Sequence, residues 1–121
     1  MRNVFGNVVS LLHIMGKMIA MGMPLEETIS RVTDKAAALI RRPELGNLTV
    51  GACADVAVLK KIEGDFAFPD CGRVTLPGKY KLECFATVRA GDILFDPYGL
   101  AMDTYENAPE SYWKDRFQVF V

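Results

Sequence analysis

The feature that most constrains this 121-residue chain is an apolar run near its start, Val8–Met21. Its hydrophobic residues recur at helical spacing, and further ones fall between them, so the predicted helix is apolar on nearly every side. Gly22 is placed to end this helix in a left-handed conformation. Such a helix must be covered on several sides, and a chain of this length has little material with which to cover it.

Three interpretations of this run compete. A membrane-spanning helix over Val4–Met23 is long enough, but His13 and Lys17 would lie near its centre, where charged groups are rare. A secretory signal would use the basic Arg2 and the small residues at Ala20–Gly22, but polar interruptions and the cysteine count disfavour it. The remaining interpretation is a helix buried inside a larger protein, and no membrane partner is expected.

The chain divides near residue 46 into a helical segment, 1–45, and a β-rich segment, 46–121. In the first segment, Pro24 is placed to open a second helix. Thr33 or Asp34 is expected to cap a third, over Lys35–Ile40, and Pro43 stops the helical pattern.

After residue 46 the hydrophobic period changes from helical spacing to alternation. The strand candidates are Val56–Leu59, the alternating pairs Phe66/Phe68 and Val74/Leu76, Tyr80–Val88, and Ile93–Phe95. Turn signals stand at Pro77-Gly78 and at Gly91-Asp92. The predicted fold class is therefore α+β, in which the helices are followed by a small antiparallel sheet or sandwich.

The tail is less regular. Its aromatic residues Tyr98, Tyr105, Tyr112 and Trp113 suggest a strap packed on the sheet. The end, Arg116–Val121, alternates weakly and is either an extra edge strand or a frayed terminus.

Charge and cysteine content exclude some partners. The chain carries 14 basic and 15 acidic residues, for a net charge of −1, without a long run of one sign. Nucleic-acid binding needs a clustered basic surface, so no nucleic-acid partner is expected. The three cysteines, Cys53, Cys71 and Cys84, form no C-x-x-C pair, which favours a reducing, cytoplasmic location over a disulfide framework.

No residue set predicts an active site. The single histidine, His13, lies in the apolar run and is interpreted as structural, because hydrolytic metal sites use two or three imidazoles. Glu26 and Glu27 are adjacent on a helix and point apart, and Asp92 and Asp96 suit turns. No phosphate-loop spacing occurs, and no cysteine adjoins a histidine. The sequence predicts no catalytic, cofactor-binding or metal-ligating residue.

A family resemblance does appear in longer stretches. Glu44–Leu59 resembles the G-x-L-x-x-G-x-x-A-D signature that follows the barrel in amidohydrolase-superfamily enzymes. Thr87–Asp96 resembles their closing hairpin, and Thr33–Ala37 stands where the family has T-x-N-P-A, without its Asn and Pro. The tail Asn107–Trp113 is similar to the dihydroorotase-like or deacetylase-like branch.

This resemblance implies a fold and a chemistry for a larger parent enzyme. The family has a (β/α)8 barrel with one or two divalent metals, typically zinc, and a small sandwich beside it. Its ligands are an H-x-H pair, a carboxylated Lys, two further His and an Asp, and all of them precede the matched segment. None transfers to this chain, and His13 would lie on the last barrel helix without matching a ligand.

Two hypotheses follow. In the first, the chain is the structural C-terminal segment of a metallohydrolase that cleaves a C–N bond in a cyclic amide or N-acyl compound. In the second, it is a stand-alone oligomeric binding or assembly module derived from that sandwich. The methionines of the first helix would then form an adaptable docking face, although an ordinary core role is favoured for them. Both predict a homo-oligomer formed through the apolar N-terminal helix.

Overall fold

The computed structural model describes residues 9–70 and 72–111. The order of elements is α1 (Leu11–Ala20), α2 (Leu25–Val32), α3 (Asp34–Leu39), β1 (Val56–Pro69), β2 (Thr75–Arg89), β3 (Asp92–Phe95) and a 3-10 turn, Tyr105–Asn107. The predicted α+β class is confirmed. Cys71, Tyr112, Trp113 and the expected strand at Arg116–Val121 lie outside the described residues.

Helix α1 begins and ends at residues whose chemistry suits those positions. The Ser10 hydroxyl accepts a hydrogen bond from the backbone N–H of His13 at 3.1 Å, which satisfies one of the open donors of the first turn. At the other end, Gly22 has φ +97° and donates its N–H to the carbonyl of Ile19. The predicted left-handed cap is therefore present.

The helices that follow are short, with eight residues in α2 and six in α3. Pro24 precedes the first residue of α2, one position earlier than a first-turn proline would stand. Glu27 accepts hydrogen bonds from Arg31 at 2.8 Å and from Lys35 at 2.6 Å, which links α2 to α3. Thr33 occupies the N-cap position of α3 but does not cap it, because its hydroxyl donates to the carbonyl of Ile29 at 2.7 Å.

The sheet contains three antiparallel strands in the order β1-β2-β3. Strand β1 joins the stretches that we expected as separate strands. Its pairing with β2 shifts register between Glu63 and Phe66, so Gly64 and Asp65 are absorbed as a bulge within one continuous strand.

The turn expected at Pro77-Gly78 is wrong. Both residues lie within β2, where Pro77 pairs with Ala67 and Gly78 with Phe66. Since β3 pairs only with Thr87–Arg89, the edge of β2 near Pro77 has no partner strand among the described residues. A proline without an N–H is tolerated at such an edge. The chain reverses instead between β1 and β2, where the Asp70 carboxylate accepts the N–H of Gly72 at 2.7 Å.

The core lies where α1 packs against the sheet. The Phe68 ring is clamped there, since side chains added at Gly16 of α1 and Gly78 of β2 would come within 3.0 and 2.5 Å of it. Lys17 adds a hydrogen bond from its Nζ to the Pro69 carbonyl at 3.0 Å. Within the described residues only five hydrophobic side chains are buried: Met15, Ala37, Phe68, Leu82 and Ala86.

Helix α1 is covered along its middle and open at its ends. Met15 is 2% exposed, whereas Leu11 and Met21 at its two ends are more than half exposed. Of the helices in the described ranges, the longest has ten residues, and none has the length and hydropathy that crossing a bilayer requires.

Candidate functional site

The signature that resembles the amidohydrolase superfamily is fastened to the β2–β3 hairpin by Asp55. The Asp55 carboxylate accepts the backbone N–H of Ala90 at 2.8 Å, and the carbonyl of Ala54 accepts that of Gly91 at 3.1 Å. Ala90 has φ +50°, a left-handed conformation that costs a non-glycine residue about 1 kcal/mol. Asp55 therefore holds a strained turn in place.

The hydrogen bonds to the Asp55 carboxylate shift the pKa values of Asp55 and Cys53 in opposite directions. The Ala90 N–H, followed by the Cys53 thiol, lowers the pKa of Asp55 below its ordinary value. The same thiol–carboxylate hydrogen bond raises the pKa of Cys53. Since the thiolate is the reactive form of cysteine, Cys53 is poorly suited to act as a nucleophile.

Two further signature residues shape the loop before β1. A side chain at Gly46 would lie 2.5 Å from the Thr33 backbone, so the loop passes the end of α2 at a distance that only glycine permits. Asn47 donates from Nδ2 to the carbonyl of Leu45 at 3.2 Å and accepts the N–H of Thr49 at 3.1 Å. The contacts described for the signature residues Gly46, Asn47 and Asp55 are thus contacts with backbone groups of this chain, and they fix the shape of its loop and hairpin.

The carboxylates considered as acid–base pairs do not converge. Glu27 is engaged by Arg31 and Lys35, which hold its pKa below the usual range, with Lys35 as the larger cause, while Glu26 is exposed. Asp96 accepts the N–H groups of Leu100 and Ala101 at 2.8 and 3.0 Å. The turn role expected for Asp96 is confirmed.

His13 lies against the core. Its ring centroid is 5.3 Å from that of Phe68, and its buried Nδ1 atom has no hydrogen-bond partner among the described residues. The structural role expected for His13 agrees with this placement.

The described residues do not fit the metal that the family resemblance implies. Within 9–70 and 72–111, no group of three or more His, Cys, Asp or Glu side chains is close enough to hold an ion. The ring of His13 lies against that of Phe68, and Asp55 and Asp96 accept hydrogen bonds from backbone N–H groups. No reaction step through a metal is assigned to these residues.

A cleft of about 440 Å³ lies between the end of α1 and the β1–β2 pair. It is lined by Ile19, Ala20, Asp65, Phe66, Pro77, Gly78, Lys79 and Tyr80. Lys79 and Asp65 form an ion pair at its rim, and the Lys61 ammonium lies 4.0 Å from the centre of the Tyr80 ring.

Sequence reasoning missed this cleft. It depends on the bulge at Asp65, which the residue pattern did not predict, and on the continuation of β2 through Pro77, where a turn was expected. Asp65 and Lys79 are 14 positions apart, and only the register of the two strands brings them together.

No protein-family model matches this sequence, and no curated protein matches it significantly. Among solved structures, the chain is similar to one described as the crystal structure of an adenine deaminase, with a TM-score of 0.69 and 25% sequence identity. The similarity covers 74% of this chain and 24% of the deaminase chain. The matched part thus spans about a quarter of that enzyme, which has an amidohydrolase-superfamily fold.

Proposed function

We propose that this chain is the C-terminal structural segment of an amidohydrolase-like metallohydrolase and is not catalytic alone. Its parent would hydrolyse a C–N bond in a cyclic amide or N-acyl compound, as in the dihydroorotase-like and deacetylase-like branch. Removal of an amino group from adenine also breaks a C–N bond, so adenine belongs among the substrates to test. The metal ligands would be supplied by the rest of the parent.

The observation that carries this proposal is the structural match to an adenine deaminase over a quarter of that enzyme's length. The match complements the Gly46–Leu59 signature, whose residues Gly46, Asn47 and Asp55 hold the loop and hairpin of the fold. These contacts give the signature a structural role, which does not require a catalytic group in this chain.

The helical side of the molecule supplies independent support. We use the name helical surface for Leu11, Met21, Ile29, Leu39 and Ile40, which are exposed large hydrophobic residues on or next to α1–α3. A self-sufficient domain of this size buries most of its large hydrophobic side chains. We assign these exposed side chains to contacts with a barrel portion of the parent.

We also propose that the parent acts in the reducing cytoplasm. Cys53 and Cys84 are both free thiols, and proteins with unpaired cysteines are typical of reducing compartments.

The first test is to sequence the DNA on the 5′ side of the Met1 codon. We expect coding sequence for a barrel with H-x-H and the later ligands, either in frame or as a neighbouring gene. Expression of the barrel polypeptide together with this chain should yield a complex that holds one or two equivalents of zinc and hydrolyses an amide or deaminates adenine.

Two matched variants sharpen this test. Leu39→Lys changes a residue of the helical surface that is 86% exposed, so it should weaken assembly with the barrel without unfolding the chain. Leu94→Lys makes the same change on β3, away from the helical surface, and should leave assembly intact. The proposal fails if no barrel is encoded nearby, or if the purified chain alone binds one equivalent of zinc and hydrolyses an amide.

A further inference from the structure

The outer edge of strand β1 is open. Strand β1 pairs with β2 on one side, and within residues 9–70 and 72–111 no strand pairs with it on the other. Alternate residues of such an edge direct backbone N–H and C=O groups outward, which is a template for pairing with another strand. We infer that two copies of this chain join through the edge of β1, antiparallel about a two-fold axis at Ile62. The inference does not depend on the proposed function.

The charges along the middle of β1 change sign at Ile62. Lys60 and Lys61 precede it, Glu63 and Asp65 follow it, and all four are exposed. Because Leu59–Glu63 pairs with β2 without a register shift, side chains two positions apart lie on the same face there. When Ile62 of an antiparallel copy lies opposite Ile62, each Lys61 stands beside Glu63 of the other copy. The edge is therefore complementary in charge to itself.

Symmetry and charge together select this register. A two-fold axis between antiparallel strands passes through a residue that pairs with itself, so the neighbouring registers have their axes at Lys61 and at Glu63. An axis at Lys61 places two lysines directly opposite each other, and an axis at Glu63 does the same with two glutamates. Like charges in direct opposition destabilise a strand pair. Of these three registers, the axis at Ile62 alone avoids them.

The two charges that would meet across the axis are available. Asp65 pairs with Lys79, and Glu83 pairs with Lys81, so those carboxylates of the sheet are neutralised within the chain. Glu63 forms no ion pair with any residue that the structure describes. Lys61 has no carboxylate partner there either, and its ammonium lies 4.0 Å from the centre of the Tyr80 ring. A second copy supplies each of the two with an opposite charge.

The position of α1 leaves room for a second strand beside β1. Helix α1 packs mainly on β2, where Gly16 approaches Lys81 and Ala20 approaches Gly78. Pairing through β1 gives the strand order β2-β1-β1-β2 at the centre of a six-stranded sheet. Strands lie about 4.8 Å apart, so the two β2 strands, and the helices above them, are roughly 14 Å apart. Packed helices need about 8–10 Å between their axes, so both α1 helices fit on one face of the sheet.

The test exchanges the charges across the axis. The full chain is examined by sedimentation velocity from 1 to 200 μM, together with Lys61→Glu, Glu63→Lys and the double variant that carries both changes. Glu26→Lys makes the same change at an exposed residue of α2 and is the matched control. Leu11→Lys tests the α1 interface expected from the sequence, which remains a prediction. Circular dichroism of each variant establishes that it is folded.

We expect a monomer–dimer equilibrium for the unmodified chain, Glu26→Lys and Leu11→Lys. Each single change on β1 places like charges opposite each other at both sides of the axis, so association should weaken at least ~10-fold. The double variant reverses both pairs and should recover association to within about threefold of the unmodified chain.

A monomer at 200 μM overturns the inference. So do folded single variants of β1 that associate as the unmodified chain does, and a double variant that stays as weak as the single ones. Loss of the dimer in folded Leu11→Lys with no effect of the β1 changes would assign the contact to α1 and also overturn it. Since no outcome requires a metal or a barrel, failure here is distinct from failure of the proposed function.

Discussion

Replacement of Gly78 by alanine tests the clamp on Phe68. Gly78 lies in β2 at the place where α1 approaches the sheet, and an alanine Cβ there would lie 2.5 Å from Cε2 of Phe68 and 3.1 Å from Cβ of Ala20. An ordinary carbon–carbon contact is about 3.5–4.0 Å, so the Phe68 ring must move by roughly 1 Å. Gly16 and His13 stand near the same ring, which limits its retreat.

The magnitude follows from two opposing effects. Overpacking a close-packed site costs about 1–3 kcal/mol. Alanine also restricts the unfolded chain, which stabilises the fold by about 0.4–1 kcal/mol. The net expectation for Gly78→Ala is a loss of about 1–2 kcal/mol in the free energy of unfolding, or a Tm lower by roughly 4–10 °C for a chain of this length.

The assay is urea unfolding followed by circular dichroism, for the unmodified chain, Gly78→Ala, Phe68→Leu and the double variant. Leucine lacks the ring atom that alanine would meet, so Gly78→Ala should cost less than about 0.5 kcal/mol in the Phe68→Leu background. This non-additivity identifies a direct contact. The reasoning is refuted if Gly78→Ala is as stable as the unmodified chain, or if the loss is the same in both backgrounds.

Two further predictions rest on single hydrogen bonds, and a third rests on a backbone conformation. Asp55→Asn should lower the Tm at pH 7, because the carboxylate that holds Ala90 is replaced. Since the native pKa of Asp55 is lowered, its stabilisation is present above about pH 4 and is lost as the pH falls further. The Tm difference between the two proteins should therefore shrink from pH 5 to pH 2, and a constant difference would contradict the carboxylate role. Lys17→Met removes the half-buried hydrogen bond to the Pro69 carbonyl and should cost about 1–2 kcal/mol in urea unfolding; no change would show that this bond contributes nothing. Gly22→Ala should cost about 1 kcal/mol, because φ is +97° there while nothing lies within 4 Å of the added carbon. A gain in stability at Gly22 would refute the left-handed cap.

Local sequence was sufficient to predict those features that depend only on residues adjacent along the chain. The cap at Gly22 and the stop before Pro43 both depend on backbone preferences of a few consecutive residues, and both were predicted. The turn at Pro77-Gly78 was predicted on the same kind of signal and was wrong. There, Gly78 is needed to admit the Phe68 ring, a demand made by a residue ten positions away.

The candidate site shows the same division. The similarity of Gly46–Leu59 to an enzyme signature was visible in the sequence, but the contacts that its residues make were not. Asp55 meets Ala90 across 35 positions, and Gly46 passes Thr33 at the end of α2. Both contacts exist only once the strands have paired and the helices have packed.

The sequence by itself determined the α+β class and the end of the first helix at Gly22, because spacing and capping are local properties of the chain. Only the tertiary structure decided which apolar residues stay exposed. Helix α1 buries Met15 on the sheet and leaves Leu11 open, while Leu94 of β3 also stays exposed. The sequence pattern of hydrophobic residues is the same whether a side chain is buried within its own chain or exposed for contact with another molecule. Only the packed fold shows which of these two cases applies to each residue.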